Sequence, residues 1–252
     1  MAHPAEKVVG HRPWPLPDQP WIMSQTWRDL LFAHWPVSEE RLRPLVPAPL
    51  ELDAYEGRAW VAVTPFLLTG LRPRALPALP GFSTFPELNV RTYVRYQEKP
   101  GVFFFSLDAG SFAAVLGARI GYRLPYFHAR MSLEKGGDGW IRYRSERLSG
   151  AADFSGAYRP VGPPRQAAPD SLEHFLIERY ALYVVSRLGL QRVDIHHLPW
   201  SLSRAEATIE RNTMAAAAGI QLPDDPPLLH YAASLETLVW APTPAAESGA
   251  AG

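Results

Sequence analysis

A chain of 252 residues, 47% of them hydrophobic, is long enough to bury a substantial core in one large domain or two small ones. Twenty-five basic residues balance twenty-five acidic ones, so there is no net field to draw in nucleic acid. The absence of cysteine excludes disulfides, thiolate metal sites and cysteine nucleophiles.

Residues 1–24 are Pro-rich and read as an arm over the surface of a single domain spanning residues 25–241. No apolar run has the length of a signal peptide or a membrane span, which sets the expectation of cytoplasmic residence and no membrane partner. Residues 27–35 (WRDLLFAHW) read as a strand. Ser38 stands where it can cap a short helix, with Glu39 and Glu40 in its first turn and Pro44 and Pro47 ending it. Residues 58–68 (RAWVAVTPFLL) predict a strand, followed by a Pro-rich loop.

Residues 88–96 (LNVRTYVRY) alternate. Leu88, Val90, Thr92, Val94 and Tyr96 share one face; Asn89, Arg91, Tyr93 and Arg95 share the other. If the apolar face packs outward on helices, the polar face points into a barrel; the reverse places it in solvent. Periodicity leaves both open. The turn EKPG leads to VFFFSL, the second strand of a hairpin. Residues 111–120 suit a helix capped by Ser111, and the Gly136–Gly139 turn joins two further strands. Residues 170–185 predict a capped helix. Segments 193–207 and 228–240 read as paired strands around a short Ala-rich helix at 212–219. The tail, residues 242–252, is small, polar and expected to fray. Strands outnumber helices and follow one another through turns, which predicts an antiparallel, barrel-like α+β domain.

Motifs exclude more than they assign. GxSxG, Walker and GxGxxG fingerprints are missing. His196 and His197 are adjacent and point to opposite faces of a strand, and the other histidines lack HxH or HExxH spacing. The expectation is therefore no metal and no cofactor. His34 and His128 are the acid–base or ligand-binding candidates among the histidines, or else satisfied core residues.

Two phrases carry a resemblance: RLRPLVPAPLELD at residues 41–53 and ARIGYRLPYFHARM at residues 118–131. They resemble the acetoacetate decarboxylase superfamily, which has a "VP-x-PLE" phrase and an arginine six positions before a proline that precedes two lysines. The succession HWP, ELNVRTYV, FFSLDA, LPY and HLPW is similar to an uncharacterised branch of that superfamily, DUF2071. The resemblance covers residues 27–240. It implies an antiparallel β-barrel or closed sheet with a few flanking helices and an internal ligand cavity. It also implies that Arg119, the matching arginine, and Tyr126 face the chamber.

The enzymes of the superfamily form a Schiff base on lysine. Here the two lysine positions are Tyr126 and Phe127, and the chain's three lysines are Lys7, Lys99 and Lys135, in the arm and beside turns. A solvated lysine of pKa about 10.4 is almost never the neutral nucleophile at neutral pH. Schiff-base chemistry is therefore not expected. Tyr126 and Arg119 remain as catalytic candidates, Tyr126 as a hydrogen-bonding group or as a cavity-lining aromatic. Glu87, Asn89, Arg91 and Tyr93 are ligand-binding candidates. Arg91 suits a carboxylate through its planar fork, or pairs with Glu87. The expected function is binding, with or without lysine-independent turnover, of a small oxygenated molecule of keto or carboxylate type. The rivals are a non-catalytic binding module and a protein-association domain with a filled cavity. A homo-oligomer is compatible with either.

Overall fold

Long runs of aliphatic and aromatic residues form the two longest strands of the computed structural model, β1 (Met23–Val37) and β3 (Ala59–Pro73). The structure describes residues 3–79, 81–121, 123–186 and 189–245, except for the side chains of residues 117–120. Between the two long strands lie α1 (Glu39–Leu42), a 3-10 turn and the short β2 (Glu51–Leu52). Ser38 occupies the N-cap position of α1, but its hydroxyl makes no capping bond.

The hairpin of β4 (Phe85–Tyr96) and β5 (Lys99–Ala109) turns at Gln97, at φ 54°, so Lys99, Pro100 and Gly101 belong to the strand and not to a four-residue turn. Then come α2 (Phe112–Gly121), β6 (Tyr126–Lys135), β7 (Ile141–Arg147) and β8 (Asp153–Arg165). The Ser111 hydroxyl accepts a hydrogen bond from the Ala114 amide at the start of α2. The helix expected over residues 170–185 is α3 (Leu172–Ile177) alone, capped by Ser171. The chain then extends into β9 (Ala181–Ser186), where β-branched and aromatic residues pair with a neighbouring strand and override the helical pattern. The remaining elements are β10 (Gly189–His196), β11 (Leu202–Asn212), β12 (Leu228–Val239) and β13 (Thr243–Pro244). The start of the tail is therefore paired, through β13 on β10.

Backbone pairing closes a ring. β1 pairs with β3, β3 with β4, β4 with β5, β5 with β9, β9 with β10, and β10 with β12, which returns to β1. The sheet is mixed and not antiparallel throughout, because β5 runs parallel to both β6 and β9. The connection through α2 lets β6 start beside the last residues of β5 and run in the same direction, Leu107 opposite Tyr126 to Ala109 opposite His128; a parallel neighbour needs such a crossover in place of a tight turn. Strands β6, β7, β8 and β11 continue the sheet around the outside of the ring.

The main core lies between this outer run and the ring. It joins Leu31 and Trp35 of β1, Leu88 and Val90 of β4, Tyr143 of β7 and Phe154 of β8. The apolar face of β4 thus packs outward on strands and not on helices. Tyr143 fixes the register between the layers by donating to the carbonyl oxygen of Glu87 at 2.7 Å. A second core lines the inside of the ring, with Leu30, Phe32, Phe66, Phe85 and Trp200. Each such buried side chain contributes about 1.5–3 kcal/mol relative to exposure. No helix among the described residues is long and apolar enough to cross a membrane.

Candidate functional site

The inside of the ring is not filled by side chains. It encloses a cavity of about 520 Å³ whose walls include Trp27, Phe66 and Leu68. A protein-association domain with a filled cavity does not describe this structure. Strand alternation delivers polar groups into the apolar chamber: Glu87, Asn89 and Arg91 of β4 and Tyr126 of β6 all line it. The exposed lining residues, Pro73, Pro77, Leu79, Phe82 and Ala113, come from the end of β3, the following loop and α2, and mark the mouth.

At the deep end, two arginines line the chamber, and they differ in their partners. Arg179 is buried and donates to Asp53 Oδ2 at 2.5 Å, while Asp53 also accepts from Arg95 at 2.5 Å. Its guanidinium lies 4.2 Å from the Phe175 ring centroid and 5.0 Å from that of Tyr93. Arg91 makes no ion pair among the described residues, and the pairing with Glu87 considered from the sequence does not form. Its guanidinium lies over the rings of Phe32 at 5.2 Å and Tyr93 at 5.9 Å, and its Nε is buried without a hydrogen-bond partner among the described residues. Three other cavity-lining residues also carry buried atoms without partners among the described residues: Thr64 Oγ1, Asn89 Oδ1 and Trp200 Nε1. Buried polar atoms are seldom left so, and four around one chamber is an unusual concentration.

Midway up the wall, the Tyr126 hydroxyl donates to Glu87 Oε2 at 3.0 Å. Burial pushes the Glu87 carboxyl up to about 8; the Tyr126 hydrogen bond opposes the shift and the charge of Asp108 adds to it. Glu87 therefore keeps its proton through neutral pH. The neighbouring Phe127 does not line the chamber. The Arg147 guanidinium covers its ring at 3.8 Å and forms a buried ion pair with Asp108.

Behind Phe32 and Arg91, the buried His34 Nε2 and Tyr93 hydroxyl are 2.7 Å apart. His34 stacks on Phe32 and meets His230 edge-on, and His230 Nε2 lies 3.1 Å from Glu173 Oε1. Burial, reinforced by Arg91 and His230, holds His34 well below the ordinary histidine range. Neither His34 nor Tyr93 touches the chamber; they form the layer beneath it. His128 also lies outside it, with its ring 5.6 Å from that of Phe112. Arg119 falls in α2, and its side chain lies outside the described residues.

Sequence reasoning missed Arg179, His197 and Trp200 at the deep end. Arg179 sits in a stretch read as helix, and the Asp53 it meets is remote in sequence, so no local signal marks the pair. None of the three lysines lines the chamber, and Lys135 Nζ is paired to Asp29 at 2.7 Å. No group of three or more histidine or carboxylate side chains converges to hold a metal among the described residues.

The family of uncharacterised conserved proteins DUF2071 matches residues 24–236. The chain belongs to the DUF2071 family. The uncharacterised protein YqjF of Bacillus subtilis (strain 168) is 55% identical over 226 residues, covering 89% of this chain and 93% of that protein. Among solved structures, acetoacetate decarboxylase from Legionella pneumophila superposes with a TM-score of 0.61 at 14% identity, over 94% of this chain and 93% of that one. The enduracididine biosynthesis enzyme MppR, complexed with pyruvate, gives 0.59 at 11% identity, over 92% of each chain. At these identities the likeness shows the fold. This DUF2071 protein has the acetoacetate decarboxylase-like fold, with a tyrosine and a phenylalanine where the resemblance aligns the paired lysines.

Proposed function

We propose that the chamber binds a small organic carboxylate or keto compound, with Arg91 as its anion anchor. One observation carries the reading. Arg91 is a cavity-lining guanidinium with no carboxylate partner among the described residues, while the carboxyl on the same strand face, Glu87, is held neutral. The chamber therefore has an uncompensated positive charge, and a planar fork suits a carboxylate. Support comes from the structural neighbour MppR, which is described in complex with pyruvate.

Tyr126 and Glu87 would act at the opposite polar station. A carboxyl that keeps its proton near neutral pH, hydrogen-bonded to a phenol, can donate a hydrogen bond to a carbonyl oxygen and polarise it without an imine. Turnover would run through that pair; a binding module would use it only to orient the ligand. Native mass spectrometry of the purified chain tests the reading, with released small molecules identified after denaturation. A stoichiometric carboxylate or keto compound, lost in Arg91→Gln, is the expected result. A filled chamber holding an uncharged molecule, unaffected by Arg91→Gln, would refute the anchor. Turnover of the released compound, abolished in Tyr126→Phe, separates enzyme from binder.

A further inference from the structure

We infer that the ligand is an elongated amphipathic acid, with its carboxylate at Arg91 and an apolar body running past Tyr126 to the rim at Leu79 and Phe82. The inference rests on the proposed role of Arg91 and adds the class of molecule. Its first ground is spacing. Glu87 and Arg91 are four residues apart on β4, about 13 Å along a strand. The Arg91 guanidinium lies over the rings of Phe32 and Tyr93. Leu107 of β5 pairs with both Asn89 and Tyr126, so Tyr126 enters the wall about 7 Å from Arg91 along the strands, on the side of the mouth. A molecule that extends from Arg91 to the rim passes it.

The wall supplies the second ground. From Arg91 to Phe85, at the mouth end of β4, the strand rises about 20 Å. Over that length the lining includes Trp27, Phe66, Leu68 and Leu107, with Asn89 and its pairing partner Thr64 between the levels of Glu87 and Arg91. A molecule confined to the Arg91 end would leave most of the 520 Å³ chamber and its apolar wall without contacts. Third, the rim itself is apolar and open: Leu79 is 61% and Phe82 59% exposed. An apolar tail covers these side chains. The free end of a small acid leaves them in water.

Trp27 and Trp200 line the chamber and serve as intrinsic fluorescent probes. The experiment titrates the full chain with saturated straight-chain monocarboxylates from acetate to palmitate, with acetoacetate, and with the primary alcohol matched to the tightest acid. Affinity should rise roughly two- to fourfold per added methylene until the chain reaches the rim. The matched alcohol should bind at least about tenfold more weakly. Arg91→Gln should erase the difference between acid and alcohol and keep the dependence on length. Phe82→Ser, on the exposed rim where folding is not at stake, should weaken only the longest acids. If acetate or acetoacetate binds as tightly as the long acids, the elongated ligand is refuted while the anion site stands. Equal binding of acid and alcohol overturns the placement of the carboxylate. Failure of every acid, long and short, removes the anion site itself and this inference with it.

Discussion

The Tyr126 hydroxyl donates to Glu87 Oε2 at 3.0 Å inside an apolar chamber, and the carboxyl it meets is pushed up to about 8 by burial. The relationship makes stability depend on pH. The folded state holds a proton on Glu87 that the unfolded chain releases near its ordinary value of 4.5. Stability from this group is therefore complete below pH 4.5 and lost as pH rises through about 8. Glu87→Gln keeps a neutral hydrogen-bonding group and removes the titration. Its stability relative to the parent should grow across that window, by on the order of 5 kcal/mol as an upper bound. Chemical denaturation across the pH range measures it, and a difference that stays flat would show an ionised Glu87.

The two deep arginines should separate in the same kind of experiment. Arg179→Met leaves the buried Asp53 with only the half-exposed Arg95, and should cost about 3–5 kcal/mol. Arg91→Met strands no carboxylate and should change stability by less than about 1 kcal/mol, in either direction. Equal losses in the two variants would mean that Arg91 has a structural partner and is not held for a ligand.

Much of this arrangement was legible in the sequence. Alternation in LNVRTYVRY placed Asn89 and Arg91 opposite Leu88 and Val90, and the two faces do point to different cores. The resemblance supplied the fold and brought Tyr126 to the chamber. What stayed hidden depends on contacts remote in sequence. Arg179 reaches the deep end just after the prematurely ended helix α3, Trp200 reaches it from the segment between β10 and β11, and no local pattern announces the Asp53 partner. β8 was also missed, because Pro160, Pro163 and Pro164 suggest a loop. The strand accommodates them because β7 accompanies β8 only as far as Tyr158, so the prolines lie where one edge has no β7 pairing to sustain.

Tyr93→Phe tests the layer beneath the chamber. Removing the hydroxyl leaves His34 Nε2 buried without its 2.7 Å partner, which should cost about 1–3 kcal/mol. In the Glu87→Gln background, which removes the opposing carboxyl titration, stability should also fall as pH drops below 6.5, because burial holds His34 and His230 below that value and the unfolded chain takes up the protons first. Urea unfolding between neutral pH and about pH 5 reads both effects. Acid-insensitive stability between those values would indicate that the histidines are hydrated.

Incubation with a β-keto acid and borohydride should give no reduced adduct on lysine. Lys7 and Lys99 do not line the chamber, and Lys135 is paired with the buried Asp29. Peptide mass spectrometry locates any adduct, and a stoichiometric one on Lys99 or Lys135 would show imine chemistry at a place the cavity does not explain.

Met23 pairs with Val239, so the first strand of the ring is completed by one of the last to be made. Closing so long a span costs chain entropy before any contact rewards it. During synthesis, β1 can pair with β3 early, but its other edge stays open until β12 has left the ribosome. Until then a long apolar strand presents unsatisfied backbone to its surroundings, a liability that chaperones or rapid completion must cover. A ligand enclosed by the ring can assist only the final docking of the chain.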